Sequence, residues 1–374
     1  MKKLIALLLL ISPVAYSQEW IKLMNDPDVN FYDVQKSFNV EYKKEQKKEN
    51  SVLRKIFRWS KDEEKETPGL GVYKRWEHFN APRVYPSGVR LKPDHVWKEF
   101  MKMRAGSGQP SLQSSGNWSP LGPSSWVTNS YNPGIGRVNV VVVDPNDPMI
   151  IYIGSPSGGI WKSTDGGSSW NQPTTDKLPS IGVSAIAVDY ANTDVIYIGT
   201  GDCDASDTYS NGVLKSTDGG LTWNATGLSW SLTQTRKISK LLMDPINHLI
   251  LYATTNNGIF KTTDGGATWN LILPGGFRDM EFKPGNANVI YICGTAFHKS
   301  EDAGATWTLI NAGVPPTGDI NRLAIAVTPA DTNYVYMAAG DENSNGFYGL
   351  YRSTDGGNTF TQRSVSPNLY GYAM

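Results

Sequence analysis

The chain has 374 residues, with 35 Lys+Arg balanced by 35 Asp+Glu. That length carries one large domain and an accessory segment. The charge is unevenly spread: residues 118–374 hold 14 Lys+Arg against 21 Asp+Glu, and an acidic main domain argues against nucleic acid as a partner.

Met1-Lys2-Lys3, the apolar run Leu4 to Ile11 and the small residues Ala15-Tyr16-Ser17 read as a cleavable leader over residues 1–17. The run is too short to span a bilayer, and no other run approaches that length. The expected location is therefore secreted, extracellular or at the cell surface. Residues 18–116 form an accessory, pro-like region, or an arm packing on the main domain. Asp26-Pro27 reads as a helix start. Phe31, Val34, Phe38 and Tyr42 follow on one helical face. Lys43 to Glu66 is charge-dense, either solvated helix or disordered linker. Two aromatic-bearing pieces come next, at 71–79 and 92–100.

From residue 117 a repeat governs the chain. The box Ser/Thr-x-Asp-x-Gly-x-Thr/Ser-aromatic occurs five times, with its aspartate at Asp165, Asp218, Asp264, Asp302 and Asp355. The closing aromatics are Trp170, Trp223, Trp269, Trp307 and Phe360, and the aspartates lie 53, 46, 38 and 53 residues apart. Such a period signals one supersecondary unit per repeat. The box itself reads as a hairpin turn. Asp-Gly-Gly supplies a short acceptor and residues that tolerate positive φ. A site needs one copy and a fold needs all of them, so the aspartates are read as turn clamps rather than catalytic acids or metal ligands. Each unit holds four short strands. Strand A is Val138–Val143, Val183–Val188, Ile238–Met243, Met280–Phe282 and Leu323–Val327. Strand B is Ile150–Gly154, Val195–Gly199, Ile250–Ala253, Val289–Cys293 and Val335–Ala338. Strand C runs into the box and strand D leaves it, a pattern that reads as propeller blades.

This is the Asp-box, and residues 137–363 resemble the Asp-box β-propellers: sialidases, xyloglucanase-type glycoside hydrolases and sortilin-like ectodomains. Ile151-Tyr152-Ile153-Gly154-Ser155-Pro156-Ser157-Gly158-Gly159-Ile160-Trp161-Lys162 looks most like secreted bacterial sortilin-like proteins. The resemblance implies an all-β propeller over residues 117–374, a peptide or glycan ligand, and a sorting domain of the type IX kind. It does not imply an activity. Asn117-Trp118-Ser119-Pro120-Leu121-Gly122 resembles the tail of a box, and is read as an outer strand whose partner strands are missing. Five units are visible, and the ring is expected to need at least one more blade.

Within a blade, the A–B turns and the boxes share one face, while the B–C and D–A loops share the other. Length varies on the second face: from A–B turn to box aspartate the intervals are 21, 29, 20, 19 and 27 residues. Variable loops on a rigid scaffold carry function. The acids there, Asp202, Asp204, Asp341 and Glu342, are the weak catalytic candidates, since a carboxylate pair at suitable separation hydrolyses glycosides. Asp207, Tyr209, Trp230, Arg236 and Tyr348 are the ligand-binding candidates. A solvated loop or a bound Ca²⁺ is the plainer reading of each acid. The enzyme resemblance lacks parts. The Arg-Ile-Pro motif of sialidases is absent, and the catalytic aspartate of xyloglucanase-type enzymes falls at Pro156, flanked by Ser155 and Ser157. Neither proline nor serine can serve as that carboxylate base. Cys203 and Cys293 fall in the second and fourth units and are read as separate thiols. With no CxxC, no HExxH and no histidine cluster, no metal site and no cofactor are expected. Oligomeric state is not legible. The leading function is a non-catalytic binding or adhesion module, with a glycoside hydrolase as the alternative.

Overall fold

The computed structural model describes residues 19–49, 70–106, 136–171, 174–204, 208–342, 346–367 and 369. The leader at 1–17, the outer strand read at 117–122, and Asp207 lie outside the described residues. The chain divides into two compact units, residues 1–92 and 93–374.

The first unit is helical: α1 (Glu19–Asn25), α2 (Phe31–Glu49) and α3 (Leu70–Val84). The helix start expected at Asp26-Pro27 is corrected. Those residues form the turn between α1 and α2, where the Asp28 N–H donates to Asp26 Oδ1 at 3.0 Å. Asn30 caps α2 instead, its Oδ1 accepting the Tyr32 N–H at 2.9 Å. Phe31, Val34 and Phe38 are buried as the helical period requires. Trp20, Phe38 and Tyr73 form the centre, with Tyr42 and Trp76 packed on them. Trp20 meets Phe38 edge-on at 5.1 Å, a favourable quadrupole geometry. The piece at 71–79 is therefore the middle of α3. The piece at 92–100 leads into a helix of the second unit, α4 (His95–Gly106).

The second unit is a five-bladed β-propeller of antiparallel sheets. Blade 1 is β1 (Val140–Val143), β2 (Ile151–Ser155) and β3 (Gly159–Ser163), with an isolated antiparallel bridge between Lys162 and Asn171. Blade 2 is β4 (Val183–Val188), β5 (Ile196–Thr200), β6 (Gly212–Ser216) and β7 (Asn224–Ser229). Blade 3 is β8 (Ile238–Met243), β9 (Leu251–Thr255), β10 (Gly258–Thr262) and β11 (Asn270–Pro274). Blade 4 is β12 (Asp279–Lys283), β13 (Asn286–Cys293), β14 (Phe297–Ser300) and β15 (Thr308–Ile310). Blade 5 is β16 (Ile320–Val327), β17 (Val335–Asp341), β18 (Phe347–Ser353) and β19 (Thr361–Ser364).

The core lies between successive blades, because a sheet with a neighbour on each side buries both faces and alternate residues serve alternate neighbours. Ile186, Val188, Ile196 and Ile198 of blade 2 pack on Tyr152 and Ile160 of blade 1. Ala185, Ala187, Tyr197 and Val213 face blade 3 instead. Blades 3 and 4 meet through Tyr252, Ile259, Met280, Ile290 and Ile292. Blades 4 and 5 meet through Tyr291, Phe297, Leu323, Ile325 and Met337.

The box supplies a second link. In blades 2 and 3 the tyrosine of strand B bonds to the box of the next blade. Tyr197 Oη donates to the Gly265 carbonyl at 2.9 Å, and Tyr252 Oη to the Ala303 carbonyl at 2.9 Å. The lysine of strand C joins it: Lys162 Nζ donates to Gly219 O, Lys215 Nζ to Gly265 O, Lys261 Nζ to Ala303 O, and Lys299 Nζ to Asn358 Oδ1.

Inside the box the clamp is the same five times. The buried hydroxyl of Ser163, Ser216, Thr262, Ser300 or Ser353 donates to the aspartate Oδ1 at 2.7–2.8 Å. That hydroxyl also accepts the N–H of the second turn glycine. The hydroxyl four residues after the aspartate donates to its Oδ2 at 2.5–2.7 Å. The two central residues hold φ of 66° and 91° at Gly265-Gly266, which explains Gly-Gly. The fourth box places Ala303 at φ 55°.

These donors hold all five aspartates at about 2. In the first four boxes the hydroxyl four residues on is the main cause. At Asp355 partial burial works the other way, and the hydrogen bonds from Ser353 and Thr359 outweigh it. A depressed folded value means the unfolded state, near 3.9, binds more protons. The stabilisation is therefore present above pH ~4 and is lost as pH falls toward about 2. Each exposed group contributes little alone, but five titrate together. An acid titration followed by near-UV circular dichroism should show loss of the propeller between pH ~4 and ~2 with multi-proton uptake. A signal unchanged down to the lower limit would remove the clamps from the account.

Candidate functional site

A cavity of about 460 Å³ lies along the inner strands, lined by Asn139, Ser184, Ser239, Lys240, Arg278 and Arg322 among others. Strand A starts at the B–C/D–A face, so residues just before it ring the mouth. Three units carry a cation there, Arg137, Lys237 and Arg278, and in blade 5 Arg322 stands at the third residue of β16. The second unit has Ile181-Gly182 there, and provides the acids instead through its long B–C loop.

That loop folds over the mouth. Asp202 is fully buried and pairs with Arg137 at 2.6 Å. It also accepts Asn139 Nδ2 at 3.3 Å and the Asp204 N–H at 3.1 Å. Asp204 accepts from Arg322 at 2.8 Å and lies 3.7 Å from Arg278. Arg278 donates to the Cys203 carbonyl at 3.1 Å. Thr208 Oγ1 anchors the far end on the Pro156 carbonyl at 2.8 Å. One loop of blade 2 thus joins blades 1, 4 and 5. Deeper in the cavity, Lys240 of blade 3 bridges Asp279 at 2.8 Å and Glu281 at 2.5 Å. Burial works to lower Lys240, and the two carboxylates outweigh it and raise it. Burial, with the Arg278 charge beside it, holds Lys237 below the ordinary lysine range.

A second group forms over blade 5. Tyr348 Oη donates to Asp319 Oδ2 at 3.3 Å. The Glu342 N–H donates to the Asp319 carbonyl at 3.0 Å, and Asn321 Nδ2 to the Asp341 carbonyl at 3.0 Å. Glu342 is exposed and Asp341 half-buried. The other ligand candidates have structural contacts. Trp230 sits in the blade 2–3 core and meets Phe260 edge-on at 6.0 Å. The Arg236 carbonyl accepts the Ser210 N–H at 2.9 Å, while its Nε is buried with no hydrogen-bond partner among the described residues. Tyr209 is half-buried in the loop over the mouth.

Cys203 and Cys293 are free thiols. Burial pushes Cys203 up to about 11, which leaves it a poor nucleophile. Among the described residues no three His, Cys, Asp or Glu side chains gather as a metal site, and no helix is long and apolar enough to cross a membrane. Arg137, Arg278 and Arg322 were not singled out from sequence. Their signal was available in the aligned repeats, as a cation within three residues of the start of strand A.

The fold and site define a five-bladed propeller with an ion-paired loop across its cavity. No family model matches the chain. It is 33% identical over 114 residues to a xyloglucanase of Paenibacillus sp., covering 25% of this chain and 10% of that protein. It is 32% identical over 114 residues to xyloglucanase Xgh74A of Acetivibrio thermocellus, covering 25% of this chain and 13% of that protein. Among solved structures, an ancestral GH74 enzyme matches with TM-score 0.53 at 23% identity, over 66% of this chain and 32% of its own. The GH74 xyloglucanase from Xanthomonas campestris matches with TM-score 0.50 at 21% identity, over 62% and 39%. The chain spans a minor part of each relative's length. The structural likeness establishes the propeller fold.

Proposed function

We propose that the protein is an exported Asp-box propeller of sortilin-like type that binds a glycan on its B–C/D–A face without cleaving it. The observation that carries this reading is the pairing of Asp204 with Arg322 at 2.8 Å beside the buried Asp202–Arg137 pair. Glycoside hydrolysis needs one acid that can give a proton and one carboxylate free to attack or to activate water. Carboxylates bridged to guanidinium groups serve to hold the loop. The half-exposed rings of Tyr209 and Tyr348 offer faces for sugar rings, and Asp319, Asp341 and Glu342 offer acceptors for hydroxyls. The xyloglucanase names of the partial relatives favour a glycan over a peptide. The leader read at residues 1–17 supports export.

The second reading, a glycosidase, is favoured by those same relatives, with Asp341 and Glu342 as the remaining acids. Electrophoresis through gels containing xyloglucan, run beside a reducing-sugar assay, separates the readings. Retarded migration without new reducing ends is expected. Reducing ends released by the wild type and lost in Asp341→Asn or Glu342→Gln would replace binding by hydrolysis. Neither retardation nor release would remove the glycan and leave a peptide ligand.

A further inference from the structure

Every blade but the first buries its leading face under its predecessor. One position shows it. Paired across strands A and B are Ile186 with Ile198, Leu241 with Ala253, Met280 with Ile292, and Ile325 with Met337. The strand A members are 5%, 5%, 0% and 6% exposed. In blade 1 the equivalent pair is Val141 with Ile153, and Val141 is 61% exposed. Its neighbour Val143 is 49% exposed, where Val188 of blade 2 is 8%. Trp170, the box aromatic of blade 1, is 36% exposed, while Phe360 of blade 5 is 5%.

The trailing face of blade 5 is open in the complementary sense. Tyr336 and Arg352 occupy the positions of the strand B tyrosine, which bonds to the next box in blades 2 and 3, and of the strand C lysine, which does so in blades 1 to 4. Tyr336 is half-buried, and Arg352 lies 4.8 Å over the Tyr334 ring. Arg352 Nε is buried with no hydrogen-bond partner among the described residues.

We propose that these two faces form one docking surface, and that its occupant is a further blade of this same repeat seated between blade 5 and blade 1. The reason is continuity: the same interface is built four times within the chain from the same positions. The occupant would offer a Gly-Gly carbonyl to Tyr336 and Arg352. On its other side it would offer a B-strand tyrosine to the Gly166-Gly167 turn and apolar residues to Val141 and Val143. Apolar stripes of this kind on a soluble surface mark interaction sites.

The test compares the 374-residue chain with the same chain extended by a copy of its own fourth unit. The readouts are fluorescence of an apolar-surface dye, the thermal midpoint and sedimentation. The expected result is a several-fold loss of dye fluorescence and a raised midpoint on extension. Val141→Asp should abolish both effects while leaving the midpoint of the unextended chain unchanged, and Arg352→Glu should abolish both effects when each extended protein is compared with its own unextended form. An extension that alters neither readout, or effects that survive either substitution, would overturn the proposal. So would concentration-dependent association of the unextended chain that Val141→Asp breaks, which would assign the surface to a second copy.

Discussion

Replacing Arg137 by methionine should destabilise the propeller by about 3 kcal/mol or more, because it leaves the Asp202 carboxylate buried without its guanidinium. Asp202 is fully buried, whereas Arg137 is 38% exposed, so the two partners are not equivalent. Removing Asp202 leaves a cation that water can reach. Removing Arg137 leaves an anion that water cannot reach, held by Asn139 Nδ2 and the Asp204 N–H. Arg137→Met should therefore cost more than Asp202→Asn. The double variant should recover part of the loss, since contacting residues are not additive. Urea unfolding of the four proteins gives the comparison. Single variants within ~0.5 kcal/mol of wild type, the range of ordinary surface changes, would show that the loop is not held by this pair. The outcome also bears on function. If the pair is structural, Asp202 is removed from the list of candidate acids.

Tyr252→Ala is the second large effect, at roughly 3–5 kcal/mol by analogy with buried aromatic truncations. Tyr252 is fully buried in the blade 3–4 core, and its hydroxyl donates to the Ala303 carbonyl of the next box. Tyr252→Phe keeps the ring and should cost only about 1 kcal/mol, the net worth of one hydrogen bond. Tyr336→Ala, at the equivalent place in blade 5, should cost much less than Tyr252→Ala, because that side chain is half-buried. Calorimetry of the three variants checks the order. Equal losses at Tyr252 and Tyr336 would mean that blade 5 is gripped as blade 3 is, and would weigh against the open face.

The blades were largely legible because their information is local. A turn needs its acceptor, its two positive-φ residues and its hydroxyls within a few positions, and those appear five times. The inter-strand alternation is also local, so β4 and β8 match the expected strand A limits. Where the expectation slipped, a neighbouring residue competed for the same local role. Asn30 rather than Asp26 caps α2, because its N–H acceptor geometry coincides with the start of the apolar face at Phe31.

What the chain alone determined about this protein is therefore the unit: its period, its turn chemistry, its alternating faces, and which loops vary in length. What tertiary structure decided is where those units bring distant charges. Asp204 and Arg322 are 118 residues apart in sequence, and meet because five blades turn their first strands toward one cavity. No local pattern encodes that meeting. Asp202 and Asp204, two of the loop acids, are paired with cations supplied from blades 1, 4 and 5. The exposed faces of blade 1 and blade 5 are of the same kind. Val141 and Ile186 are alike in sequence, and only the presence of a neighbouring blade separates a buried core residue from an open surface.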